Sequence, residues 1–231
     1  MLRNFLLAAS CIALAAGATE PERAPVLVEL FTSEGCSSCP PADLHLARLD
    51  SQVIVLSEHV DYWDQLGWKD RFSSHEFTAR QEGYVRAFGI DGPYTPQMVV
   101  DGAAQFSGGD TRRAAQEIEK AARGPKAHIS LSRSDAGVQV AIEGAPHDAD
   151  IWLAVADNNA STQVRNGENK GRTLNHVAVV RSLRKIGWAK RGKAFSRQVD
   201  LPGSSGQRVV VFLQEAGQAH VLGAALLPSA Q

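Results

Sequence analysis

The sequence predicts an α/β domain followed by a mostly antiparallel, sandwich-like β domain, and three observations carry that expectation. A strand–helix–strand pattern fills residues 26–56. Helical periodicity recurs as far as residue 123 and is scarce afterwards, and Gly124-Pro125 stops the last helix where the character changes. With 231 residues the chain is long enough for two domains of ordinary size, placed at 25–124 and 125–231.

Residues 26–31 form an apolar run interrupted only by Glu29, as a buried strand does. A polar turn leads into Cys36-Ser37-Ser38-Cys39-Pro40-Pro41. A helix follows, with Leu44, Leu46, Ala47 and Leu49 as its apolar positions and prolines where a first turn tolerates them. Residues 53–56 are the second strand, so a parallel pair joined by a right-handed crossover is expected. A helix over 74–88 ends at Gly89. Pro93-Tyr94-Thr95-Pro96 then feeds a strand at 97–100, and Asp101-Gly102 turns it back through 104–106. A helix over 111–123 closes this part. Beyond it, 128–132 and 138–143 alternate as a hairpin around Asp135-Ala136-Gly137. Further strands are expected at 151–155, 176–183, 194–201, 207–215 and 220–227.

Composition narrows the functional classes. Hydrophobic residues make up 44% and charged ones 21%, which excludes disordered and fibrous chains. With 24 basic and 25 acidic residues no basic face is offered to phosphates, and no nucleic-acid partner is expected. Arg3, the apolar run 5–16 and Ala16-Gly17-Ala18 read as a signal peptide over 1–18, placing the mature chain in the periplasm or outside the cell. A membrane anchor needs about 20 apolar residues, more than this run has. Lipid attachment at Cys11 would leave only 5–9 as its apolar segment. No later segment is apolar enough to span a bilayer, so no membrane insertion is expected after cleavage.

Of three cysteines, cleavage leaves Cys36 and Cys39. Export puts them in an oxidising compartment, where disulfides persist. A bridge across two residues closes too short a loop to stabilise much, which favours redox chemistry over a structural staple. At a helix N-terminus, unpaired N–H groups and the helix dipole stabilise a thiolate, so Cys36 is expected below the free thiol value of about 8.5. Structural zinc needs about four ligands and finds one pair here. Copper held by the two thiolates and His59 stays open.

The run Val28-Glu29-Leu30-Phe31 before Cys36-x-x-Cys39, with Thr95-Pro96-Gln97 before a strand and an Asp-Gly turn, resembles the thioredoxin superfamily over 25–124. The resemblance implies that Glu29 is a buried acid, that Pro96 is a cis-proline facing the sulfurs, and that Thr95 pairs through its backbone with a substrate strand. Gly35 stands where thioredoxin has Trp. Ser37-Ser38 lacks both the Gly-Pro of thioredoxin and the histidine of strong oxidants, which implies a moderate potential, at neither extreme of the family range of about −270 to −120 mV. More narrowly, 29–36 with His59-Val60-Asp61-Tyr62-Trp63, and with Gly167-Glu168-Asn169 further on, resembles a bacterial secreted family of unknown function.

Several residues admit two readings. Glu29 either relays the Cys39 proton or sits at a solvated sheet edge. His59 and Asp61 either shape a substrate groove or form a structural pair, and Trp63, like Tyr62 and Trp68, lines that groove or packs in the core. Residues 166–172 either contact the first domain, a partner or an anion or serve only as a long hairpin connection, the reading preferred. The basic residues between Arg181 and Lys193 read as a solvated face rather than a binding patch. The function expected is an exported thiol–disulfide oxidoreductase acting on a protein or small-molecule thiol or disulfide, with no organic cofactor. The alternative is a periplasmic binding module using the cysteines for copper or redox sensing, and a scaffold with idle cysteines is a third reading.

Overall fold

The computed structural model describes residues 24–134, 137–201 and 206–229; the expected signal peptide, with Cys11, lies outside them. The first half runs β1 (Leu27–Thr32), α1 (Pro40–Leu49), β2 (Ile54–His59), α2 (His75–Phe88), β3 (Gln97–Val100), β4 (Ala104–Ser107) and α3 (Thr111–Ala122). The second half is built of strands, with one short 3-10 turn at Ala216–Gln218: β5 (His128–Ser134), β6 (Gly137–Glu143), β7 (Ala149–Gln163), β8 (Thr173–Ala189), β9 (Phe195–Val199), β10 (Gln207–Gln214) and β11 (Val221–Leu227).

Local chemistry explains the helix ends. Pro40 and Pro41 open α1, where their missing N–H groups cost little. Ser74 caps α2 by accepting from the Glu76 N–H, and Gly89 ends it at φ 63°, the left-handed conformation glycine adopts without strain. Asp110 accepts from the Arg113 N–H at the start of α3.

Eight strands form one mixed, mostly antiparallel sheet in the order β11-β10-β7-β8-β2-β1-β3-β4, and β5-β6-β9 form a second, smaller sheet. β1 and β2 are parallel, as the crossover through α1 requires. The expected boundary at 124–125 falls between α3 and β5, but the large sheet runs through it: β8 joins β2 in parallel at Ser57 and Val179. Side-chain alternation shows the same continuity. Leu27 and Leu56 share a cluster with Ala154, Ala156, Val210 and Phe212 of the second half. The other faces of β7 and β10, through Ile151, Leu153, Val209 and Val211, pack on Val138, Val140 and Ile142 of the small sheet. α1 covers the face of β1 that carries Val28 and Leu30. α2 lies on the opposite face, where Tyr84 meets Phe31 edge-on at 5.9 Å.

Candidate functional site

β1 ends at Thr32 and the chain turns directly into the cysteine loop, so the pair sits at the C-terminal end of a parallel strand and the N-terminus of α1. Cys36 and Cys39 form a disulfide with their Cα atoms 5.4 Å apart. Both are fully buried, whereas Ser37 and Ser38 between them are exposed. The Ser38 hydroxyl lies 3.3 Å from the Cys36 sulfur. The Thr95–Pro96 bond is cis. Pro96 lies close to α1 by way of Gly108, where an added Cβ would stand 2.9 Å from both Ala42 and Leu30 and 3.2 Å from Pro96. Trp63 joins the group from the other side. Its Nε1 donates to Thr95 Oγ1 at 2.8 Å, and its Cβ would be 3.1 Å from a Cβ at Gly35. Cys36, Cys39, Trp63, Thr95 and Pro96 are therefore brought together.

Glu29 is not among them. Strand alternation turns it away from α1, and Arg80 Nε donates to its Oε1 at 2.6 Å while the Tyr84 hydroxyl donates to Oε2 at 2.5 Å. Both oxygens are occupied on the sheet face opposite the cysteine helix, so the proton-relay reading is corrected: Glu29 belongs to a buried ion pair. Asp61 also serves the frame, accepting from Thr78 Oγ1 in the first turn of α2 at 2.5 Å. His59 is buried, its Nδ1 2.6 Å from Asp70 Oδ2.

The acids near the cysteine loop are others. Glu34 and Asp43 are buried and flank His176, whose Nε2 is 3.7 Å from Glu34 Oε1 and whose Nδ1 is 3.7 Å from Asp43 Oδ2. The His176 ring meets that of His59 edge-on at 4.7 Å, and Asp70 Oδ2 also accepts the Glu34 N–H. Trp68 Nε1 donates to Glu34 Oε2 at 2.8 Å. Burial opposes a charge on His176, but the Asp43 and Glu34 carboxylates outweigh it and lift its pKa to about 9. A histidine raised on folding stabilises the fold fully below its unfolded value of about 6.5, and that stability is lost as pH rises through about 9. Stability measured by urea unfolding should therefore fall between those limits, by at most about 1.4 kcal/mol per pH unit. His176→Gln should flatten that fall; an unchanged slope would show that His176 carries no extra proton.

A hairpin tip lies over the loop. Residues 164–172 connect β7 to β8, as expected of a long connection, and also reach the cysteines. Asn169, itself buried, donates through Nδ2 to the carbonyls of Glu34 and Cys36, at 2.9 Å each. Glu168 Oε2 accepts the Ser37 N–H at 3.1 Å. This changes the electrostatics expected of the helix terminus. The Ser37 N–H is taken by Glu168, the Cys39 N–H by the Cys36 carbonyl, and Pro40 and Pro41 have none to offer. Fewer donors thus remain for a Cys36 thiolate than the Cys-x-x-Cys pattern alone suggests.

A cleft of about 100 Å³ separates Pro40, Asp43 and Leu44 of α1 from residues 172–175. A cavity of about 680 Å³ lies at the other end of β1 and α1, around Val26, Leu49 and Val53, and no cysteine lines it. Among the described residues, no three of histidine, cysteine, aspartate and glutamate are arranged to hold a metal ion. Nor is any helix among them long and apolar enough to cross a membrane.

Glu34, Asp43, Asp70, His176 and Asn169 were missed as site residues because they are scattered along the chain and converge only in the fold. Asn169 left one trace in the sequence, the polar Gly167-Glu168-Asn169 loop.

Comparison with known proteins places these features in a family. Residues 27–214 match a family model described as a protein of unknown function (DUF1223). Protein AGR_C_4864 from Agrobacterium tumefaciens has a similar structure, with a TM-score of 0.80 and 31% identity over 92% of this chain and 97% of that one. HBP35 of Porphyromonas gingivalis shares the fold, with a TM-score of 0.60 and 16% identity over 90% of this chain and 76% of that one. Among curated proteins nothing matches the chain.

Proposed function

The chain belongs to the DUF1223 family, a family of unknown function, and from the chemistry of its own residues we propose that it is an exported thiol–disulfide oxidoreductase with a thioredoxin-like site. The observation that carries this reading is the disulfide across two residues at a strand–helix junction, with a cis-proline that, like Ala42 of that helix, borders Gly108. Such a bridge closes too small a loop to matter much for stability, which leaves thiol–disulfide exchange as the chemistry it suits.

The cycle balances without a cofactor. A substrate thiolate attacks the Cys36 sulfur, the Cys36–Cys39 bond breaks, and Cys39 leaves as a thiolate that takes up a proton. A second substrate thiolate attacks the mixed disulfide, freeing Cys36 and releasing substrate disulfide. Two electrons pass from two thiols to the protein pair. In reverse, Cys36 thiolate attacks a substrate disulfide and Cys39 resolves the intermediate. Thr95 and Trp63, bonded to each other beside Gly35, stand next to the cysteine loop where a substrate strand would approach.

Proton handling passes from Glu29 to Asp43. Cys39 has helical backbone angles, and Asp43 follows at i+4, on the same face of α1. Asp43 in turn lies against His176. Because the nearby N–H donors are occupied, the thiolate is less stabilised than in strong oxidants. The couple therefore lies toward the reducing end of the range.

The test is catalysis of exchange. The reduced protein, added at substoichiometric amounts with dithiothreitol, should accelerate reduction of a model protein disulfide such as that of insulin. A rate equal to that with dithiothreitol alone would overturn the reading.

A further inference from the structure

We infer that the hairpin tip 164–172 is a gate over the disulfide, that Asn169 is its latch, and that it selects the thiols admitted to Cys36. The inference rests on the exchange reading above and concerns access to the same pair. Both cysteines are fully shielded from solvent, yet exchange requires an attacking sulfur to reach one of them in line with the bond. Something has to move, and the contacts identify what.

The tip is built to move as a unit. Val164 and Arg172 bond across its base, the Gly171 N–H donates to the Val164 carbonyl at 2.8 Å, and Lys170 and Arg172 donate to the carbonyls of Gly167 and Asn169. Arg172 Nη1 also holds Asn169 Oδ1 at 2.8 Å, which aims the Asn169 Nδ2 away from the tip. Attachment to the cysteine loop, by contrast, rests on few contacts. One Asn169 amide nitrogen serves the Glu34 and Cys36 carbonyls, Glu168 holds the exposed Ser37 N–H, and Gly167 lies against Trp68. The close approach at Gly167, where an added Cβ would be 3.1 Å from the Trp68 Cβ, explains a glycine there at φ 74°. On the α1 side the cleft leaves the base of the tip unpacked. Both latch bonds go to backbone carbonyls of the loop and neither to a sulfur, so release uncovers the disulfide without altering the reacting atoms.

A gate of this kind discriminates by size. A small dithiol needs only a partial opening, whereas a sulfur borne on a folded protein needs the whole tip displaced.

The experiment measures the reduction rate of the Cys36–Cys39 disulfide in the folded full chain, by thiol alkylation after quenching. Dithiothreitol and a reduced protein dithiol, thioredoxin, serve as probes. Loss of the two latch hydrogen bonds in Asn169→Ala, together with the Arg172 bond that aims them, should raise the dithiothreitol rate about tenfold or more, and the protein-dithiol rate by a larger factor. Glu168→Gln, at an exposed position that does not threaten folding, should raise both by about two- to fivefold. Should Asn169→Ala fail to fold, Glu168→Gln alone decides. Rates unchanged in the folded variants, or a wild-type disulfide already reduced as fast as in urea-unfolded protein, would overturn the gate and leave the exchange reading standing. A disulfide that becomes quickly reducible in the variants yet never passes electrons to insulin would confirm the gate and remove the exchange reading.

Discussion

Cys36→Ser is expected to lose thiol–disulfide exchange altogether, while Cys39→Ser is expected to stop halfway and accumulate a mixed disulfide on Cys36. The two outcomes differ because the sulfurs have different tasks. A thiolate is the nucleophile and a serine hydroxyl does not ionise near neutral pH, so no attack occurs without Cys36. Without Cys39, attack still occurs but nothing resolves the intermediate. Mass spectrometry after incubation with oxidised glutathione should show one glutathione adduct on Cys39→Ser and none on Cys36→Ser. Adducts of equal yield on both variants would mean that the cysteines are interchangeable exposed thiols. The backbone of α1 should be indifferent to both changes, since Cys39 caps it without a side-chain hydrogen bond.

The second large effect lies away from the cysteines. Arg80→Met should destabilise the fold by about 3–5 kcal/mol, read by chemical denaturation. Arg80 is buried between α2 and the sheet, paired with Glu29 and 3.5 Å from Glu58 Oε1. It also donates to the Gln214 side chain of β10, tying the two halves of the chain together, and lies 5.3 Å from the Phe212 ring. Its removal leaves the buried Glu29 with the Tyr84 hydroxyl but no counter-charge. Glu58 behaves differently: burial, then the neighbouring Glu29, push its carboxyl well above the usual range, while Arg80 works against both. A carboxyl raised on folding binds more protons in the native state, so stability falls as pH rises above its unfolded value of about 4.5. Replacing the whole set, with leucine at 29 and 58 and methionine at 80, should recover most of the loss, because no buried charge is then stranded. A single Arg80→Met variant as stable as the wild type would contradict the network's role.

Legibility in the sequence followed the range of the interactions. Local signals held where neighbours along the chain decide: Pro40 and Pro41 opening α1, Ser74 and Gly89 bounding α2, Asp101-Gly102 between β3 and β4. The strands after residue 125 were also legible as strands, but their partners were not. Nothing local in β8 says that Val179 will lie beside Ser57, so the continuity of the large sheet was hidden. Glu29 shows the same limit. The apolar run marked it as buried, but which face it takes, and that Arg80 waits there from 51 residues away, depends on where α2 packs. The cysteine pair was visible because its chemistry is carried by four consecutive residues. Its surroundings were not, since Asn169 reaches Cys36 across 133 residues and His176 meets Asp43 only through the β7–β8 hairpin.

The most direct test is the midpoint potential of the Cys36–Cys39 couple, titrated in glutathione redox buffers and read by alkylation. A reversible two-electron transition between about −270 and −200 mV is predicted, on the reducing side of the range because the N–H donors of the cysteine loop are already occupied. A couple that fails to reach equilibrium from either direction, even after Asn169→Ala, or a midpoint near −120 mV, would contradict it.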